Sequence, residues 1–191
     1  MLTELQRRKL QLRFALLDTD GDGSLSREDF ELVTLRVCAA FGHLPGSEGY
    51  DRVLGAYLKL WERLCWEMGH DPYETTSLPD FLSACERALL SPAESPVNGS
   101  GTDLPQLHDL DLVDMVFDIA DADNNGVIDL AEFTTWMHAY GVGARDTIEA
   151  FDLLDSDNDG VLSRSEMMQA AEEFYSAEDP IVAGNWLFGP L

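Results

Sequence analysis

Residues 121–132 (DADNNGVIDLAE) and 155–166 (DSDNDGVLSRSE) carry oxygen-bearing side chains at positions 1, 3, 5, 9 and 12 of a twelve-residue frame, with glycine at position 6. A calcium ion takes about six to eight oxygens at roughly 2.3–2.6 Å, and a short loop supplies them only in a pattern of this kind. Alternate side chains reach inward, the carbonyl of position 7 adds a ligand, and a two-oxygen carboxylate at position 12 closes the sphere. Glycine at position 6 takes the sharp turn that a Cβ makes costly. The pattern arises by chance on the order of 10⁻⁶ per starting position at typical composition, so two copies in one chain constrain the fold strongly. In the first loop the expected ligands are Asp121, Asp123, Asn125, the Val127 carbonyl, Asp129 and Glu132. In the second they are Asp155, Asp157, Asp159, the Val161 carbonyl, Ser163 and Glu166.

Such loops need helices on both sides, and the flanking periodicity provides them. Val113, Phe117 and Ala120 form an apolar stripe before Asp121, and Ile148, Phe151 and Leu154 do so before Asp155. The same arrangement recurs near the start of the chain, where Leu10, Phe14 and Leu17 lead into residues 18–29 (DTDGDGSLSRED). Here Asp18, Asp20, Asp22, Ser24 (through its carbonyl), Ser26 and Asp29 are the expected ligands. Position 12 is Asp29 rather than Glu, one methylene shorter, which makes two-oxygen closure harder and suits the smaller octahedral Mg²⁺ better. The expectation is three Ca²⁺ sites, with Mg²⁺ able to hold the first at rest.

These loops work in pairs, which calls for a fourth. Aligning Phe81 with Phe30 and Phe133 places it at residues 69–80 (GHDPYETTSLPD), with Trp61, Cys65 and Met68 as its incoming stripe. Its ligands are missing: Gly69 stands at position 1, Tyr73 at 5, and Glu74 where glycine is required. His70 and Asp71 lack a third metal ligand. Ser77 and Asp80 keep a capping-box start for the next helix. The reading is a structural unit that binds no metal. The central apolar position of each loop should sit in a short two-stranded ladder, Leu25 opposite Thr76 and Ile128 opposite Leu162.

The expected fold is therefore all-α, two lobes each made of paired helix–loop–helix units with short β ladders between loops. Residues 1–90 form the first pair, 91–105 (SPAESPVNGSGTDLP) a linker, 106–178 the second pair and 179–191 an apolar tail. Charge agrees with cation binding: 12 Lys and Arg stand against 36 Asp and Glu, a formal −24, which repels phosphate backbones and anionic lipid. Neither nucleic acid nor membrane is an expected partner. Cys38, Cys65 and Cys85 are odd in number and widely spaced, which reads as reduced buried thiols in a cytoplasmic protein. Arg7-Arg8-Lys9 is followed by no apolar run, so no signal peptide is expected. The glycosylation-like Asn98-Gly99-Ser100 reads as linker.

A filled, empty, filled, filled order over 191 residues, ending in Gly184-Asn185-Trp186-Leu187-Phe188-Gly189-Pro190-Leu191, resembles the EF-hand superfamily and, within it, the sarcoplasmic calcium-binding proteins and their calerythrin-type bacterial relatives. The resemblance implies a compact buffer closed around its own core. Coelenterazine-using photoproteins share the order, but they need a buried His, Trp and Tyr set. This chain has no His or Trp in the helix after Glu166 and no Tyr beyond Tyr175, so luciferin chemistry is not expected. Nor is catalysis: His43, His70, His108 and His138 are isolated and no nucleophile motif stands apart from the loops. Met115, Met137, Met167 and Met168 lie at core-like spacing. Trp186, Leu187 and Phe188 are too apolar to leave in water, and are expected to plug the cleft that a calcium sensor would present to a target. The expected role is a monomeric intracellular Ca²⁺ buffer. The alternative is a sensor that exposes a hydrophobic cleft or releases this tail to a target protein, which the sequence does not identify.

Overall fold

The structure is a computed structural model that describes residues 1–90 and 110–191. The linker 91–105, the Asn98 pattern and His108 lie outside the described residues, as do the side chains of 88–90, 110 and 111. Among the described residues eight α-helices run in order: α1 (Glu4–Leu17), α2 (Arg27–Ala40), α3 (Glu48–Met68), α4 (Leu78–Leu90), α5 (Leu110–Ala120), α6 (Leu130–Ala139), α7 (Ala144–Leu154) and α8 (Arg164–Ser176). A short 3₁₀ turn at Ala183–Trp186 follows. Four two-residue strands sit inside the loops: β1 (Ser24–Leu25), β2 (Thr76–Ser77), β3 (Val127–Ile128) and β4 (Leu162–Ser163). The fold is the expected all-α one. β1 pairs antiparallel with β2 and β3 with β4, and the register is the one expected, Leu25 opposite Thr76 and Ile128 opposite Leu162.

Each helix leaving a loop starts at the loop's own position 9. Ser26, Asp129 and Ser163 cap α2, α6 and α8 by accepting from the backbone N–H of Asp29, Glu132 and Glu166. The position-12 carboxylates reach back to the cap backbone and complete three capping boxes. The ligand-poor loop keeps the device, Ser77 Oγ donating to Asp80 at 2.6 Å. Helix initiation has thus survived where the ligands have not.

Aromatic rings cross-link each pair. Phe14 before the first loop meets Phe81 after the second at 5.5 Å, and Phe30 meets Trp61 at 5.2 Å. Phe133 and Phe151 do the same in the second pair at 5.7 Å. The two pairs then share one core rather than standing apart: α3 packs on α5, α2 on α6, and α1 on α8. Asp118 of α5 ties the pairs together by accepting from Arg52 of α3 at 3.0 Å and from Arg164 of α8 at 2.6 Å. Met137 and Met167 are core residues, and all three cysteines are buried free thiols. Burial pushes the Cys38 and Cys65 thiols up to about 11.

The apolar tail folds back onto this core. Leu187 and Phe188 are buried, and Trp186 is half-buried. Phe188 sits edge-on to Tyr140 and Phe174 at 5.9 and 5.0 Å. Gly184 lies so close to α8 that an added Cβ would stand 2.4 Å from Glu173 Cβ and 2.5 Å from the Ala170 carbonyl. Its N–H donates to Glu173 Oε2 at 2.9 Å. From the other side, Lys9 Nζ donates to the Glu173 and Ala177 carbonyls at the end of α8, and Arg8 to the Leu191 carbonyl. Helix α1 therefore grips both the last turn of α8 and the tail.

Candidate metal centres

Three carboxylate clusters form at the expected places: Asp18, Asp20 and Asp29; Asp121, Asp123 and Glu132; Asp155, Asp157 and Glu166. Within each, one oxygen from every residue lies within 4.8 Å of the others. The backbone that brings them together is the same in all three loops. Position 1 closes the incoming helix, and its carboxylate accepts the N–H of the position-6 glycine: Gly23 to Asp18 at 3.0 Å, Gly126 to Asp121 and Gly160 to Asp155 at 2.9 Å. Those glycines have φ of 85°, 87° and 89°, and position 4 is also left-handed at Gly21, Asn124 and Asn158. Loop 69–80 has Pro72 and Glu74 at these two positions. Proline holds φ near −65° and a glutamate resists the left-handed region, so this loop loses the backbone shape along with the ligands. It is held instead by Trp61 Nε1 donating to the Pro72 carbonyl at 3.0 Å.

Position 12 spans its loop in the same manner whether Asp or Glu. Glu132 accepts from the N–H of Ala122 and of Asp129, at 2.8 and 3.0 Å. Glu166 accepts from Ser156 and Ser163 at 2.9 and 2.8 Å. Asp29 accepts from Thr19 and Ser26 at 2.9 and 2.8 Å. To do this with a shorter side chain Asp29 is drawn in to 2% exposure, whereas Glu132 and Glu166 are half-buried. At position 5, Asp22, Asn125 and Asp159 accept the N–H two residues on, from Ser24, Val127 and Val161. Ser24 and Val127 lie in β1 and β3, and Val161 directly precedes β4.

The donor set fits a hard divalent cation. All the grouped atoms are carboxylate oxygens, and Asp18 Oδ1 is buried with no hydrogen-bond partner, a costly state for a carboxylate unless a cation meets it. Desolvation and the neighbouring Asp159, Glu166 and Asp155 push the Asp157 carboxyl up. Burial also raises Glu166, but hydrogen bonds from Ser163 and Ser156 outweigh it and hold that carboxyl below its usual range. Charge of one sign is stored in each loop. The capping boxes at positions 9 and 12 of these loops were the feature missed in sequence; the Ser/Asp–x–x–Asp/Glu spacing that signals them is present in each loop.

Comparison with known proteins agrees. A family model described as EF hand domain matches residues 112–140, and another described as EF hand matches residues 10–34 and 148–170. Calerythrin of Saccharopolyspora erythraea is 26% identical over 175 residues, covering 92% of this chain and 94% of the relative. The luciferin-binding protein of Renilla reniformis is 25% identical over 187 residues, covering 96% and 93%. The fold is shared with a sarcoplasmic calcium-binding protein from amphioxus, TM-score 0.73 at 19% identity with both chains covered fully. Matched units at both ends, the paired loops and these whole-length likenesses lead to one conclusion: the chain carries EF hands in both halves, is similar over nearly its whole length to calerythrin, and shares its fold with a sarcoplasmic calcium-binding protein.

Proposed function

We propose that this calcium-binding EF-hand protein is a monomeric cytoplasmic buffer with no catalytic role, taking Ca²⁺ at residues 18–29, 121–132 and 155–166. The ligands are those named from the sequence, with Mg²⁺ competing at the first loop because Asp29 closes it. Bound cations would supply the positive charge that relaxes the crowded carboxylates; three Ca²⁺ at two charges each would move the formal charge from −24 to −18. Residues 1–90 and 106–178 act as the two pairs, with loop 69–80 as the partner that lets the first loop form.

The observation that carries the buffering role is the tail. A sensor opens an apolar groove to a target when calcium binds, and a buffer barely opens. Here Leu187 and Phe188 of the chain itself are buried against α6, α8 and α1. Three free buried thiols suit a reducing compartment, and among the described residues no helix is long and apolar enough to cross a membrane. The cavity where the two pairs meet is about 30 Å³, well below the roughly 150 Å³ that admits benzene, so that cavity does not take a bulky aromatic ligand.

Calorimetric titration with Ca²⁺ in a Mg²⁺ background, with a hydrophobic dye present, tests the proposal. The expected result is three binding events, one weakened by Mg²⁺, and a flat dye signal. A dye signal that climbs with calcium would move the role to a sensor that frees its tail.

A further inference from the structure

Away from the loops, where the two pairs meet, the cavity of about 30 Å³ is lined by Arg13, Leu60, Trp136, Tyr140, Tyr175 and Phe188 among others. Arg13 is 3% exposed, and its Nε and Nη1 are buried without a partner. Its guanidinium lies 4.7 Å from the Phe188 ring centre and donates to the Tyr175 hydroxyl. Trp136 Nε1 is also buried without a partner. The Tyr140 hydroxyl is hydrogen-bonded to that of Tyr57, so with Tyr57 donating, the Tyr140 proton is left for the cavity.

This inventory is lopsided. Guanidinium and indole nitrogens can only donate, no carboxylate is among the residues lining the cavity, and the wall carries a full positive charge. A buried unpaired charge is strongly destabilising, and the Phe188 face offsets only part of it. A surplus of donors around a cation is the complement of an anion. The space exceeds the about 10–15 Å³ that one water needs on the same measure, so it admits a single-atom anion.

We propose that this cavity is a buried halide site, with chloride as the natural occupant, held by Arg13 Nε and Nη1, Trp136 Nε1 and the Tyr140 hydroxyl. It joins α1 of the first pair to α6 of the second. The formal −24 of the chain opposes entry of an anion, and cations in the loops relax that opposition, so the site fills best when calcium is bound.

The test uses the full chain with calcium, crystallised from sodium bromide, with data collected at the bromine edge. An anomalous peak inside the cavity, in hydrogen-bonding contact with Arg13, is expected. In parallel, melting is followed as bromide replaces gluconate at constant ionic strength. The wild type rises in melting temperature, and the rise is lost in Arg13→Met and reduced in Trp136→Phe, which keeps a ring but not the N–H. Should Arg13→Met fail to fold, Trp136→Phe carries the comparison. A cavity holding only water in the bromide crystals overturns the proposal, and so does a bromide response unchanged in the folded variants.

Discussion

Asp29 is the residue on which the selectivity proposed for the first loop turns. Its two oxygens are engaged by Thr19 and Ser26 as those of Glu132 and Glu166 are by their counterparts, but only because the side chain is pulled deep into the loop. Asp29→Glu restores the reach for two-oxygen closure, and we expect it to raise the Ca²⁺-over-Mg²⁺ preference of that loop roughly tenfold, about 1.4 kcal/mol. Competition calorimetry would measure this; an unchanged preference would mean that length at position 12 is not the determinant. A second residue stands out in the ladders. Leu25, Ile128 and Leu162 are apolar, but their counterpart Thr76 is fully buried with an unpartnered hydroxyl. Thr76→Val should stabilise the protein by about 1 kcal/mol, read from urea unfolding. Both positions were legible in the sequence, because a metal loop is a local code in which spacing alone assigns each role. Arg13 was not. It interrupts the Leu10, Phe14, Leu17 face as an ordinary charged residue would, and Tyr57, Tyr140 and Tyr175 reach it from α3, the end of α6 and α8, a convergence no local pattern encodes.

Among the elements, α5 is braced from two sides. Burial pushes the Asp118 carboxyl up, but the hydrogen bonds from Arg164 and Arg52 outweigh it and hold it below the usual range. A carboxyl depressed on folding contributes stability that is present above its unfolded pKa, about 3.9 for Asp, and lost as pH falls through the lower folded value. The stability difference between wild type and Asp118→Asn should therefore be largest near neutrality and shrink as the medium becomes more acidic than the ordinary carboxylate range. Thermal melts of the two proteins across that range, under the same metal conditions, would reveal a constant gap if Asp118 contributed only by packing. The group is about one-third exposed, so screening keeps the effect modest. This brace could not be read in sequence. Helical stripes identify which face of α5 is apolar, but not which neighbours its polar edge meets, and Arg164 was visible only as the unassigned tenth position of its loop.

For the molecule as a whole, the decisive seam is between the tail and α8. The sequence announced that Trp186, Leu187 and Phe188 must be buried, since their hydrophobicity is a property of the residues themselves. It did not announce that Gly184 is the residue that lets the backbone lie against Glu173 and Ala170, because close approach depends on a partner far along the chain. Gly184→Ala should unseat the tail. The expected outcome is a loss of about 3–6 kcal/mol, the burial of two large apolar side chains, and a new capacity to bind a hydrophobic dye. If the variant melts like the wild type and leaves the dye dark, the tail is not what closes the core.

The grip of α1 on the end of α8 and on the tail also sets an order of assembly. Lys9 waits for the carbonyls of Glu173 and Ala177, and Arg13 for the ring of Phe188. At about 5–20 residues per second of synthesis, those partners follow on the order of ten seconds or more after α1 has left the ribosome. During that interval the apolar face of α1 has only the earlier helices to lean on. A nascent chain of this design spends its most vulnerable moments with its centre still open, until the stretch from Glu173 to Phe188 arrives to shut it.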